Sequence, residues 1–220
     1  MVEEWCGYNS FFCGVHTIKG RWQRYRKVMD KKGTTCRTRQ EMEREVAQCR
    51  ALFEKKTRDY GTSWRVLRLP SLTDQIFIKA NRIRSVQESG QNLVGDSLRG
   101  EFVAMVNYAA MALVQLELQS EGKEEAPLEL PLDEALRLYD HQLVTTLDLM
   151  MAKNHDYGEA WRQMRISSMV DLILMKLMRI KQIEDNDGRT LVSEGVEGGY
   201  RDIINYSLFS LVRSTEEENG

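Results

Sequence analysis

Apolar residues in this chain recur mainly at helical spacing. From Arg39 to Thr57, Met42, Val46, Cys49, Ala51, Leu52 and Phe53 come with charge between them, which predicts an amphipathic helix. Leu132 to Lys153 repeats the pattern with Leu136, Leu138, Leu143, Val144, Leu147 and Met150, and Asp133 is placed to cap it. Both stretches run into Asp-Tyr-Gly, and Gly61 and Gly158 suit left-handed C-terminal caps. A short turn or helical piece follows each, SWRVLRLPSL or AWRQMRISSM. Ser71 and Ser168 then precede Asp74 and Asp171 in the S-x-x-D order of a capping box. The helices they open run to about Gln87 and Glu184, and the second, DLILMKLMRIKQI, is apolar enough to be largely buried. After a polar loop with Gly90 or Gly188, a last helix spans about Asp96 to Gln119, and about Glu194 to Arg213. Strand signals are scarce. The fold class is all-α, with three or four helices in each half.

The two halves share more than a pattern. Shifted by 97 residues, 56–83 and 153–180 are identical at 13 of 28 positions, among them Asp59/Asp156, Tyr60/Tyr157, Trp64/Trp161, Arg65/Arg162, Lys79/Lys176 and Arg82/Arg179. One residue of slip brings Asn107-Tyr108 onto Asn205-Tyr206. Apolar positions drift between the copies, as core positions do when volume and pattern are kept. A single half is small for a stable core, so two tandem helical repeats packed as an intramolecular pseudo-dimer are expected. The organisation reads as an N-terminal extension at 1–40, repeat one at 41–120, a linker at 121–131, repeat two at 132–213 and a polar tail at 214–220. The extension is expected to be poorly ordered. Its Cys6, Cys13, His16 and Cys36 lack the C-x2-C pairing of common zinc modules.

Composition narrows the function classes. With 31 basic and 33 acidic residues the net charge is −2, which argues against a general nucleic-acid binder. No apolar run reaches membrane-spanning length, and no leader is apparent at the N-terminus, so a cytoplasmic protein is expected. All four cysteines lie in the first 49 residues, outside both core motifs, which fits a reduced protein without structural disulfides. A homo-oligomer stays open.

The retained polar residues are the candidate chemistry, and each carries two readings. Lys79 and Arg82, like Lys176 and Arg179, share one helix face; they are either a cationic floor for phosphate oxygens or stems that snorkel to neighbouring carboxylates. Asp59, Tyr60, Trp64 and Arg65, with Asp156, Tyr157, Trp161 and Arg162, make a kit for a nucleobase and its phosphates, or for locking a tight turn. Asn107 and Asn205 are either helix clamps or base or ribose contacts, since a buried Asn needs partners. Glu194, Glu197 and Asp202 fall on one side of the last helix and offer oxygens to Mg²⁺. Their counterparts in repeat one are Asp96, Arg99 and Ala104, an incomplete set, so activity is expected in repeat two.

K-x-x-DYG-x-x-W, then K-x-x-R-I, then an acidic glycine-containing helix ending in D-x-x-NY, resembles the nucleotide-modification-associated domain family over roughly 41–213. That resemblance implies a small α-helical domain, found in bacteria and phages and duplicated in some chains. More distantly, the helical layout is similar to the MazG-like all-α NTP pyrophosphohydrolases, which hold Mg²⁺ through E-x-x-E and E-x-x-D. The second motif would fall near Glu194, Glu197 and Asp202. The first departs, because basic Lys176 and Arg179 stand where acids are wanted. The resemblances imply a nucleotide-binding protein of nucleotide metabolism or modification, with a nucleoside triphosphate as partner. In its enzymatic form it would be a Mg²⁺-dependent hydrolase releasing pyrophosphate. The alternative is a non-catalytic interaction or scaffold protein whose retained polar residues are structural.

Overall fold

The structure is a computed structural model that describes residues 35–120, 128–190 and 195–219. The expectations for most of the extension, for much of the linker and for Glu194 therefore lie outside the described residues. The chain divides into a unit Met1–Arg37, described only at 35–37, and a unit Thr38–Gly220 that holds both repeats. Every described element is helical.

Repeat one contains α1 (Thr35–Tyr60), a 3-10 turn at Ser63–Val66, α2 (Leu69–Ser89) and α3 (Leu98–Ser120). Repeat two contains α4 (Leu132–Tyr157), a 3-10 turn at Ala160–Gln163, α5 (Ile166–Asp185) and α6 (Gly195–Asn219). α1 and α4 are each 26 residues long. Both stop at the expected glycine, with φ of +61° at Gly61 and +58° at Gly158.

Three local expectations are corrected. α2 and α5 begin before Ser71 and Ser168, with Arg68 and Arg165 at the N-cap and no side-chain cap bond. Proline in the first turn suits the α2 start, because its missing N–H would have no helical partner there. Asp133 lies inside the first turn of α4, and Pro131 takes the cap position. The helix also runs through the polar tail to Asn219. Tail residues Thr215 and Glu216 bind Arg99 at 3.0 Å and Arg162 at 2.8 Å, which ties that turn down.

The centre is made by the second and third helices of both repeats. α2 packs on α3, α5 on α6, α2 on α5, and α3 on α6. Leu72, Ile76, Ala80 and Ile83 of α2 are fully buried, as are Ile173, Leu177 and Ile180 of α5, Met105 and Val106 of α3, and Ile203 and Ile204 of α6, to within 1%. By composition α3 is long and apolar enough to cross a membrane, yet most of it is buried among the other helices. α5 buries only one stripe, leaving Met175 and Met178 exposed. α1 and α4 run antiparallel: Arg39 meets Asp148 at 3.1 Å, Arg50 meets Asp140 at 2.8 Å, and Phe53 stacks on Tyr139 at 4.2 Å.

The two repeats are related by an approximate twofold. Asp74 pairs with Lys181 and Arg84 with Asp171, and adding or subtracting 97 turns one pair into the other. Burial keeps the same register. Met42/Tyr139, Glu45/Gln142, Val46/Leu143 and Phe53/Met150 are counterparts, and all are buried. In the last helix the shift is 98, and Asn107/Asn205 and Leu113/Leu211 are buried counterparts.

Candidate functional site

The aromatic residues of the DYGxxW motif split between core and surface. Trp161 is 5% exposed, stacks on Phe209 at 4.6 Å and donates through Nε1 to Asn154 Oδ1 at 3.0 Å. Trp64 packs on the cluster of Val114, Leu118, Leu130, Ala135 and Leu138. Asp59, Tyr60, Asp156 and Tyr157 sit exposed at the ends of α1 and α4. Asp59 and Tyr60 border an open groove of about 970 Å³ that also touches Glu129 and Pro131. Neither tryptophan lines it.

The arginines behind the tryptophans are engaged. Arg162 lies over the Trp161 ring at 4.4 Å and pairs with Glu41 at 2.5 Å, Glu159 at 2.7 Å and Glu216 at 2.8 Å. These acids come from α1, the turn after α4 and the end of α6, so one guanidinium joins three parts of the molecule. Arg65 is buried; desolvation lowers its pKa, opposed by the charge of Glu134.

The Lys/Arg pairs also face carboxylates. Lys79 and Arg82 both converge on Glu101 of α3, at 3.1 Å for Lys79. Lys176 pairs with Asp202 of α6 at 2.6 Å, and Arg179 is exposed. The acid has moved one turn between the repeats. Gly199 stands where Glu101 does, and Ala104 where Asp202 does. A Cβ on Gly199 would lie 2.8 Å from Ile180 Cγ1, so α6 approaches α5 too closely there for a side chain. Asn107 accepts from the buried Tyr139 hydroxyl at 2.6 Å. Asn205 is equally buried, but its Oδ1 has no hydrogen-bond partner, because Met42 takes the place that Tyr139 has opposite Asn107.

Of the three candidate Mg²⁺ ligands, Glu197 and Asp202 are described. Each carboxylate is taken by a different cation, Arg201 at 2.6 Å and Lys176 at 2.6 Å. Among the described residues no group of three or more His, Cys, Asp or Glu is placed to hold a metal. Glu197 and Asp202, as placed, do not by themselves form a Mg²⁺ site. The buried Cys49 thiol is pushed up to about 12, first by burial and then by Glu45, so it is no thiolate nucleophile at neutral pH.

One cleft of varied chemistry lies where sequence identity left no mark. It has a volume of about 610 Å³ and lies where α4, the start of α6, the end of α5 and the end of α3 meet. Glu117, His141, Gln142, Glu197 and Arg201 supply its polar lining, with Leu113 and Ile183 on the apolar side. Arg201 donates to Gln142 Oε1 at 3.2 Å and to Thr146 at 2.8 Å, and Gln142 Nε2 donates to Glu117 Oε2 at 2.6 Å. Only Glu197 belongs to the predicted site set.

The matching place in repeat one is filled by Arg99, the counterpart of Glu197. Its guanidinium bonds Glu45, Gln48 at 3.1 Å, the Leu211 carbonyl at 3.1 Å and Thr215 at 3.0 Å. The counterparts of Glu45, Leu211 and Thr215 are Gln142, Leu113 and Glu117, all of which line the cleft. One structural position thus holds a plug in repeat one and an opening in repeat two. The signal for it was the set of positions where the copies differ.

Comparison with known proteins gives one match. The family model described as nucleotide modification associated domain 1 matches twice, at 56–116 and 153–213, more than half of the chain. No curated protein and no solved structure matches.

Proposed function

The chain belongs to the nucleotide modification associated domain 1 family, and from that premise we propose that it binds a nucleotide in the cleft of repeat two. The observation that carries this reading is the exchange of Arg99 for Glu197, which leaves the cleft open where repeat one is plugged. Its volume of about 610 Å³ lies in the range of small-molecule sites. His141 offers hydrogen bonds to a ligand, Arg201 holds Glu197, Gln142 and Thr146 in the wall, Gln142 and Glu117 offer polar contacts to a base, and Leu113 and Ile183 give an apolar wall. The family's description supplies the nucleotide, and the two halves are unequal in it. Repeat two is the binding copy, and repeat one is its scaffold.

The retained residues fit this division. Arg82 with Glu101, Arg162 with its three acids, and Asp74 with Lys181 join helices to one another. These bonds favour the scaffold reading for the signature residues themselves. Hydrolysis of a nucleoside triphosphate is the enzymatic extension, and no step of it is derived from the donors described.

Thermal unfolding of the full chain with a panel of ribo- and deoxyribonucleotides tests the reading. A ligand at about 100 times its Kd stabilises by about 2.7 kcal/mol. Stabilisation is expected for the wild type and is expected to vanish in Glu197→Arg, which supplies the plug of repeat one. No shift with any nucleotide, or an undiminished shift in Glu197→Arg, overturns it.

A further inference from the structure

We propose that the cleft of repeat two recognises its ligand by a planar pair of adjacent N–H donors, with the Glu117 carboxylate as their acceptor. The edge of a guanine base has that form, and so does a free guanidinium. The inference rests on the cleft being the binding site, and for the guanine source on the nucleotide reading above.

Repeat one shows the chemistry already satisfied from within. The group in the matching place is a guanidinium, a planar fork of donors with no acceptor. All of Arg99's partners there accept: the Glu45 carboxylate, the Gln48 amide oxygen, the Leu211 carbonyl and the Thr215 hydroxyl. The place is thus lined to receive donors, and one of its partners is a carboxylate.

Repeat two keeps that character after removing the plug. Gln142 replaces Glu45, and Glu117 replaces Thr215, so the carboxylate has moved from the first helix of the repeat to the neighbouring repeat's last helix. A carboxylate remains in each version of the place, and in repeat two it is joined by Glu197, which Arg201 holds. Gln142 is turned so that its amide donates to Glu117 Oε2 at 2.6 Å, while its oxygen is taken by Arg201 at 3.2 Å. Glu117 Oε1 accepts no hydrogen bond among the described residues, and a carboxylate has about four lone-pair sites in all. Glu197, where Arg99 stands in repeat one, is drawn to Arg201 and supplies no donor to Glu117.

An acceptor set of this kind discriminates among bases. Guanine places N1–H beside its 2-amino group, a donor pair that a carboxylate accepts in bidentate fashion, as it does an arginine. Adenine and cytosine place an acceptor nitrogen beside their amino group, and that lone pair would face the carboxylate. Uracil and thymine flank one N–H with two carbonyls. Hypoxanthine keeps N1–H and lacks the amino group, so it isolates the second donor.

Titration calorimetry on the full chain would compare GMP, IMP, AMP, CMP and UMP, with agmatine as a guanidinium probe that carries no base. A bidentate donor–acceptor pair is worth about 1–3 kcal/mol of discrimination, so GMP should bind about tenfold or more tighter than IMP. Glu117→Gln should abolish that preference while its melting temperature stays near that of the wild type. Binding of agmatine but of no nucleotide would support the donor-pair inference and overturn the nucleotide reading. Comparable binding of all five nucleotides, or a GMP preference that survives in Glu117→Gln, would overturn the inference and leave the nucleotide reading standing. Binding of none of the probes would end both.

Discussion

Asp74 of the first repeat accepts from Lys181 of the second at 2.5 Å. Exchanging the two repeats turns this bond into Arg84 to Asp171, at 3.7 Å. Asp74 and Asp171 are thus retained because each faces a cation across the seam, and neither caps its own helix.

These seam pairs lie at the surface, Asp74 being 59% exposed. Surface pairs are worth about 0.2–1 kcal/mol. Asp74→Asn should lower stability in urea unfolding by that amount, and Asp171→Asn by less, given its longer bond. A loss greater than about 2 kcal/mol for either would show that the seam depends on them far more than their exposure implies.

Glu101 is different because it is buried, 7% exposed, and holds two cations. Removing it leaves Lys79 and Arg82 facing one another without an acid. Glu101→Ala should cost about 2–3 kcal/mol, the scale for hydrogen bonds to charged groups. Asp202→Ala removes a single pair and should cost less. The two unfolding midpoints, measured side by side, check the order.

Tyr139 donates to Asn107 in the core at 2.6 Å. Tyr139→Phe keeps the ring that stacks on Phe53 and strands the Asn107 acceptor. A loss of about 1–3 kcal/mol is expected. Asn205 already lacks that partner, so Asn205→Leu should be tolerated better than Asn107→Leu in the same assay.

Glu184 gives a pH signature. Burial raises its pKa, partly offset by hydrogen bonds from Thr73 at 2.7 Å and Tyr200 at 3.2 Å. The folded state therefore binds this proton more tightly than the unfolded chain does. Its favourable contribution is fully present below the ordinary carboxylate value and is lost as pH rises through the raised one. The melting temperature of Glu184→Gln should gain on the wild type as pH rises from the ordinary carboxylate value through the raised one. Parallel pH profiles would contradict this.

The sequence made the architecture legible because the chain carries its own comparison. Helix periodicity and the glycine stops placed every described α-helix, and the shift of 97 implied two packed copies. Helix starts were less legible. Ser71 and Ser168 resemble caps, but Pro70 is compatible with the first turn, so α2 begins earlier. The site was hardest to read for a physical reason. Several positions kept in both halves join helices or fill the core, such as Asp74 at the seam, Trp161 in the core and Arg82 on Glu101, whereas the retained Asp59, Tyr60, Asp156 and Tyr157 are exposed. Gln142, Arg201, Glu117 and His141 differ from their counterparts Glu45, Val103, Thr215 and Arg44, so a search for identity passes over them. The pairing of Arg99 with Glu197 was visible from the sequence. What it did to the space around it was not, because the Arg99 side chain crosses to Leu211 and Thr215 of the other repeat.

That crossing has a consequence for how the two copies live together. Leu113 and Glu117 belong to the first repeat and wall the cleft of the second, while Leu211 and Thr215 of the second hold the plug of the first. Each half is therefore finished by material from the other. Neither could be expressed alone with its own version of the place intact. Fusion in one chain lets the lodgings diverge, because a substitution in one is not imposed on the other, as it would be in a dimer of identical subunits. A homodimer must have both doors open or both shut; this chain keeps one of each.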